Sequence, residues 1–250
     1  MRILRDLAGI RFAGFHEASE ARAAQVAAEL GVTAHPTLES LLAAADAVTC
    51  VVPTTLHHAV GMQVLAAGRH LFIEKPIAAT LAEADALVEA AARAGVVLQV
   101  GHVERFNRAV RAALPHIDRP LFVQSDRLAP YTPRGADVAV VLDLMIHDID
   151  LVASLVGSPV TEISAVGVPV ITETPDIANA RLTFASGAVA TITASRVSRD
   201  RQRKLRIFQR SGYLTMDLGT GQGMFYRMRD DVDPRTLAEQ ATSIEAFVQP

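Results

Sequence analysis

The sequence predicts an α/β protein in two parts: an incomplete parallel-sheet domain over residues 1–101, then an α+β domain over residues 102–250 with a large, mainly antiparallel sheet. Three observations predict this. Short apolar runs alternate with helical patterns through the first hundred residues, the signature of βαβ units. From about residue 160 the chain becomes long strand-like runs separated by Ser-Gly turns, the signature of antiparallel hairpins. Of 250 residues, 50% are hydrophobic and 20% charged, so the chain can bury a sizeable core.

IRFAGF (10–15) reads as the first strand. Ser19 caps the next helix, and Gly31 stands where a left-handed residue ends it. LESLLAAA is a second helix, and DAVTCVV (46–52) is a continuous apolar strand of the kind buried on both faces. Pro53 stops that strand, and Thr54 or Thr55 is the expected cap of a helix running to about Gly68. HLFIE (70–74) is a further strand, stopped by Pro76. Thr80 and Glu83 make a T-x-x-E capping box. Behind it, Leu81, Ala84, Leu87, Val88 and Ala91 share one helical face, Gly95 ends the helix, and VVLQV (96–100) follows. Helices are expected on both sides of this sheet, with ligands at the carboxyl ends of its strands.

The texture changes near residues 101–105, the expected domain boundary. A helix over about 105–114 leads to the strand LFVQSDRLA and a helix centred on DLMIHDIDLVASLVG. RLTFASGAVATITAS and LRIFQRSGYLTMDL then read as hairpins, giving a sheet with a helix on one face.

Composition excludes several classes. A net charge of −3 argues against wholesale phosphate-backbone binding, and no apolar run is long enough to span a bilayer. The N-terminus lacks the long apolar stretch of a secretory signal. One cysteine, Cys50, excludes an intrachain disulfide and a zinc cluster. A cytoplasmic protein with no nucleic-acid or membrane partner is expected.

A dinucleotide-binding domain should open with a strand, a G-x-G-x-x-G turn and a helix, and the first half of the chain has no such motif. Gly219, Gly221 and Gly223 have the wrong spacing and lie between strands, so they read as a turn. MRILRDLAG resembles the end of a helix, which suggests that the first strand and glycine turn are lost.

The chemistry-bearing groups sit at strand ends and on one helix. Glu74-Lys75-Pro76 delivers a lysine to the rim of the sheet, where it can donate to a ribose or substrate hydroxyl, or simply form a rim salt bridge. Asp143 and His147, four apart in an apparent helix, share a face; a carboxylate beside an imidazole suits a general base, and a structural histidine is the bland alternative. Asp148 and Asp150 point to other faces, and no metal site is expected. Residues 196–210 hold seven basic side chains, from Arg196 to Arg210, against one acid, Asp200. A solvated edge that discourages strand pairing is the first reading, and an anion site for a sugar-nucleotide phosphate the second. Strand alternation would split these charges between two faces.

VPTTLHHAV, HLFIEKPIAATLAEADALV, VGHVERFNRAV and VLDLMIHDIDLVASLVG, in that order, resemble the Gfo/Idh/MocA family of NAD(P)-dependent oxidoreductases. IANARLTFASGAVATITASRVS is similar to the family's C-terminal sheet, and the resemblance covers nearly the whole chain. It implies a Rossmann-like dinucleotide-binding domain over 1–101, its first strand and glycine turn absent, and a substrate-binding and oligomerisation domain over 102–250. It also implies hydride transfer between NAD or NADP and a hydroxyl carbon of a sugar, polyol or nucleotide-sugar.

Residue by residue, the resemblance makes Lys75, Asp143 and His147 catalytic, with His147 taking the hydroxyl proton. It places Glu17, Thr54, Leu56, His57, Glu74, Lys75 and Pro76 at the cofactor, Glu17 favouring NAD through a free 2′-hydroxyl. Arg105 and Asn107 fall at the substrate. A homo-oligomer through the C-terminal sheet is implied. Two departures stand out: the glycine turn is missing, and AFVQP stops short of the family's closing helix. Weak or absent dinucleotide binding by this chain is therefore expected, and the alternative reading is a truncated, non-catalytic relative acting as a binding or assembly protein.

Overall fold

A computed structural model describes residues 1–132, 138–229 and 248–249. Its contacts divide the chain into two units, Met1–Gly101 and His102–Pro250. The first runs α1 (Arg2–Asp6), β1 (Phe15–His16), α2 (Glu20–Leu30), β2 (Ala34–His35), α3 (Leu38–Ala44), β3 (Ala47–Cys50), α4 (Thr54–Ala66), β4 (His70–Ile73), α5 (Leu81–Ala94) and β5 (Leu98–Val100). All pairings are parallel: β1 with β2 in one small sheet, and β3-β4-β5 in another.

Local signals place these boundaries. The Ser19 hydroxyl accepts from the Arg22 N–H, and Gly31 closes α2 in the left-handed region at φ +62°. Thr80 and Glu83 form a complete capping box, and Thr37 with Ser40 forms a second one that the sequence reading passed over. Three expectations need correction. The strand expected over 10–15 shrinks to Phe15–His16, because only these residues find a partner strand, at Ala34 and His35. The 46–52 strand is not buried on both faces: Val48 and Cys50 turn inward, while Ala47 and Thr49 are exposed. Helices cover one side of this sheet, where Val64, Leu65, Leu87 and Ala91 meet Leu71 and Ile73. On α5, Leu87 and Ala91 are buried but Leu81 and Val88 are exposed, since they lie about a quarter-turn from the stripe facing α4.

The second unit opens with a 3-10 turn (Val103–Phe106), α6 (Arg108–Ala113) and another 3-10 turn (Leu114–His116), followed by β6 (Phe122–Leu128). A π-helical turn, Val141–Met145, runs straight into α7 (Ile146–Val156). Seven further strands follow: β7 (Val160–Val168), β8 (Ile177–Phe184), β9 (Val189–Ser195), β10 (Gln202–Gln209), β11 (Gly212–Asp217), β12 (Gln222–Met228) and β13 (Val248–Gln249). The sheet order is β13-β12-β11-β10-β6-β9-β8-β7, antiparallel throughout except for the β6–β9 pair. The expected hairpins are β8–β9 and β10–β11, and Gly219 to Gly223 lie in and just after the β11–β12 turn. Apart from the strand at 248–249, the AFVQP segment lies outside the described residues.

Alternation along β6 and β10 puts Val123, Leu205 and Ile207 into a core with Leu151 and Val152 of α7. The other face carries a row of rings, Phe122, Phe208, Tyr213 and Tyr226, stacked across four strands at 4.7–5.9 Å. The 196–210 stretch is not a solvated edge. β10 is an inner strand between β11 and β6, and Arg196 is buried. Alternation does split the charges: Lys204 and Arg206 share the open face, where Arg206 reaches Asp126 at 3.6 Å.

A Cβ at Gly61 of α4 would lie 2.7 Å from the Cδ2 of Leu87, which is itself fully buried. Gly61→Val should therefore overpack the α4–α5 contact and cost about 1–3 kcal/mol in urea unfolding; an unchanged midpoint would show that α5 shifts freely.

Candidate functional site

In the first unit the strand ends are tied together by main-chain and histidine contacts. The Glu74 N–H donates to the Cys50 carbonyl at 3.1 Å, and the Gly101 N–H to the Ile73 carbonyl at 2.7 Å. A Cβ at Gly101 would fall 2.9 Å from the Glu74 carboxylate, which would have to swing aside. The Lys75–Pro76 peptide is cis. His57, 1% exposed, holds its Nδ1 2.8 Å from the Pro76 carbonyl and its Nε2 3.0 Å from the Val52 carbonyl. A neutral imidazole has one N–H, so it donates to one of the two at a time. Both ring nitrogens face main-chain carbonyls, one in the loop after β3 and one in the loop after β4.

Thr54 is the first residue of α4, and Pro53 occupies the cap position with no side-chain cap, so neither Thr54 nor Thr55 caps the helix as expected. Leu56 is exposed near the α4 start, beside Val51. Glu17 is exposed just beyond β1, with Oε1 accepting the Ser19 N–H at 3.0 Å. Burial pushes the Cys50 thiol up, so it stays protonated and unreactive.

For a dinucleotide the fit is partial. Exposed Val51 and Leu56, with an uncapped helix start beside them, suit the nicotinamide-ribose end, and Glu74, Lys75 and Pro76 border the next strand end. No G-x-G-x-x-G turn is present to cradle a pyrophosphate.

In the second unit, Asp143 and His147 lie across a change of helix type. Asp143 sits in the π turn, where the Ile146 N–H reaches back to the Val141 carbonyl, and His147 is in the first turn of α7. The pair is therefore not the regular i, i+4 pair that the spacing predicted. Both side chains are half-buried. Asp148, 1% exposed, turns inward to the Ser125 hydroxyl at 2.8 Å and to the Arg127 guanidinium. Asp150 holds Arg105 through two hydrogen bonds and lies 3.7 Å from His102. Its hydrogen bonds push the Arg105 guanidinium further up. The Asn107 side-chain carbonyl caps α6 by accepting the Ala109 N–H, and its amide donates to the Leu218 carbonyl. Both residues expected at the substrate thus have their polar atoms engaged within the unit.

Asp143 also lines a cavity of about 120 Å³ with Thr132, Arg127, Arg196, Arg201 and Arg203. The sequence reading did not single out Arg127. Its signal was a charge at an inward position of β6, in register with Val123 and Ser125. Arg196 pairs with Asp176 at 2.8 Å and reaches the hydroxyls of Thr172 and Thr174. Burial alone would raise the Asp176 carboxyl, but the N–H groups of Thr172, Ile171 and Val170, with Arg196, hold it well below the usual carboxylate range. Among the described residues no cluster of His, Cys, Asp or Glu could hold a metal ion. No helix there is long and apolar enough to cross a membrane.

Parallel βαβ units in the first part, and in the second an open sheet backed by a helix with Asp143 in the π turn before it and His147 in its first turn, define a two-unit protein of Rossmann type. Family models agree: residues 2–102 match "Oxidoreductase family, NAD-binding Rossmann fold", and residues 108–215 match the GFO/IDH/MocA C-terminal domain. The chain belongs to the GFO/IDH/MocA oxidoreductase family, whose cofactor class is NAD(P). It is 41% identical over 208 residues to UDP-N-acetylglucosamine 3-dehydrogenase of Acidithiobacillus ferrooxidans, covering 83% of this chain and 66% of that protein. It is 30% identical over 197 residues to scyllo-inositol 2-dehydrogenase (NAD(+)) of Bacillus subtilis, covering 71% and 57%. A solved structure of the Acidithiobacillus enzyme, GnnA, superposes with a TM-score of 0.84 at 40% identity, covering 89% of this chain and 75% of that one. The chain thus spans between about half and two thirds of the length of the curated relatives named here.

Asp176 is ionised and held in the fold, so its stabilising contribution is complete above the unfolded carboxyl pKa of about 4 and is lost as pH falls toward its lowered folded value. Asp176→Asn should leave Arg196 buried and unpaired, lowering Tm at pH 7 by roughly 10 °C. It should also flatten the decline in Tm below pH 4; equal acid slopes for variant and parent would refute that assignment.

Proposed function

We propose that the chain acts as an NAD(P)-dependent oxidoreductase on a hydroxyl carbon of a sugar, polyol or nucleotide-sugar. The observation that carries this reading is family membership across both units, together with Glu74-Lys75-Pro76 at a strand end and Asp143 and His147 on the helix of the second unit. A nicotinamide bound at these strand ends would supply the hydride acceptor for oxidation of a carbinol carbon. Lys75, in the first unit, is assigned as a hydrogen-bond donor to a ribose or substrate hydroxyl, and His147, in the second, as a proton acceptor at a ring nitrogen. The loops around Val51, Thr54 and Leu56, which flank the His57 ring, would border the nicotinamide end. Glu17 is assigned to the adenosine ribose, favouring NAD. Arg105 and Asn107 shape the substrate side by ordering the segment between the 3-10 turn and α6. A homo-oligomer through the open face of the large sheet fits its row of half-buried rings, of which Phe208 is exposed.

The second reading is a relative that binds a sugar-type ligand without turning it over. One assay separates the two. With millimolar NAD⁺ or NADP⁺ and a panel of neutral sugars, inositols and nucleotide-sugars, the oxidoreductase reading expects absorbance at 340 nm to rise. It further expects Lys75→Ala and His147→Ala each to lower turnover by at least ~10²-fold. No reduced nicotinamide with any substrate leaves the binding reading standing. Fluorescence titration with NADH should show no low-micromolar binding, for want of backbone donors to the pyrophosphate; tight binding would mean that other groups replace them.

A further inference from the structure

We propose that the arginine-lined cavity of the second unit is a subsite for the diphosphate of a nucleotide-sugar, a proposal that rests on the sugar-oxidoreductase reading and narrows its substrate class. Four arginines and a single acid, Asp143, share this cavity. Two of the four are neutralised inside the fold. Arg127 is held by Asp148, and Arg196 by Asp176, so both are fixed in place and present their charge already paired.

The other two are different. Arg203 faces Arg127 directly across the β10–β6 register. Two guanidinium groups side by side repel, and one Glu104 oxygen serves both, at 3.5 Å from Arg127 and 3.8 Å from Arg203. With Arg127 already paired to Asp148, the longer contact leaves Arg203 the less satisfied of the two. Arg201, immediately before β10, has no ion pair or hydrogen bond among the described residues. The less satisfied positive charge therefore gathers where β10 begins and β6 ends.

Guanidinium forks match phosphate oxygens in pairs, and partial enclosure strengthens the attraction over that at an open surface. About 120 Å³ admits a diphosphate but not a sugar ring and a base besides, so the remainder of the ligand must lie outside. Because Asp143 belongs to the same wall, a diphosphate gripped by Arg201 and Arg203 leaves its sugar on the Asp143 side, where His147 follows one turn later. Neutral sugars and inositols carry no anionic group to pair with these two guanidiniums.

Calorimetric titration of the whole 250-residue chain with UDP, and with uridine as the uncharged control, tests the subsite. UDP should bind at least ~tenfold more tightly than uridine, and each of Arg201→Ala and Arg203→Gln should weaken UDP by about tenfold or more while leaving uridine unchanged. Arg201→Lys should recover part of the loss, and circular dichroism should be the same for all, since both side chains lie at the surface end of the cavity. UDP binding equal to that of uridine, or insensitive to both substitutions, overturns the subsite. So does binding of a sugar acid such as glucuronate as tightly as UDP, which would assign the arginines to a carboxylate. The two proposals fail separately: NADH formation from an inositol without UDP binding keeps the oxidoreductase and removes the subsite. Arginine-dependent UDP binding without NADH from any substrate keeps the subsite and removes the oxidoreductase.

Discussion

The placement of the second unit's chemistry depends on one buried interaction, that of Asp148 with Arg127 and Ser125. A carboxylate and a guanidinium out of water are stable only as partners, so α7 cannot rotate about its axis without stranding both charges. Consecutive helical residues project about 100° apart. Fixing Asp148 against β6 therefore fixes the direction of His147 as well. Asp150, two residues on, is anchored independently by Arg105, which ties the same helix to the 3-10 turn at the start of the unit. The helix carrying the proposed proton acceptor is thus held at two points before any ligand arrives.

The π turn preceding α7 adds a second constraint. It widens the backbone by one residue, so Asp143 departs from the regular helical ladder and reaches the cavity wall. Such turns are uncommon and recur where a side chain must be re-aimed. In the first unit the comparable device is His57. Its ring bridges the carbonyls of Val52 and Pro76, holding together the two loops that present Thr54 and Lys75.

Two hubs of the second unit also share a logic with these clamps. Asp176 gathers three backbone N–H groups and Arg196 around one carboxylate, closing the segment between β7 and β8 onto the end of β9. Arg203 and Arg201 have no comparable acid of their own. The contrast between locked and surplus arginines separates structure from ligand recognition within a single wall.

Much of this was legible in the sequence because it is local. Ser19, Thr80 with Glu83, Gly31 and Gly95 mark helix ends by hydrogen bonds and backbone angles that neighbouring residues decide. The hairpins follow from Ser-Gly turns between alternating runs, whereas spacing left Lys75, Asp143 and His147 open between chemical and structural roles, which only the family resemblance resolved. Burial was not legible, because it depends on which neighbour arrives. Val48 and Thr49 belong to one apolar run yet face opposite environments, since helices cover a single side of their sheet. β10 reads as a charged edge, yet it lies inside the sheet, because pairing between distant strands decides which strand is central. His57 and Asn107 looked available for ligands, and their partners, Pro76 and Leu218, stand 19 and 111 residues away. Local hydrogen bonding and periodicity determined the elements and the motif. Only the tertiary structure decided which polar groups are occupied by the protein itself, since long-range pairing is invisible to any window of the sequence.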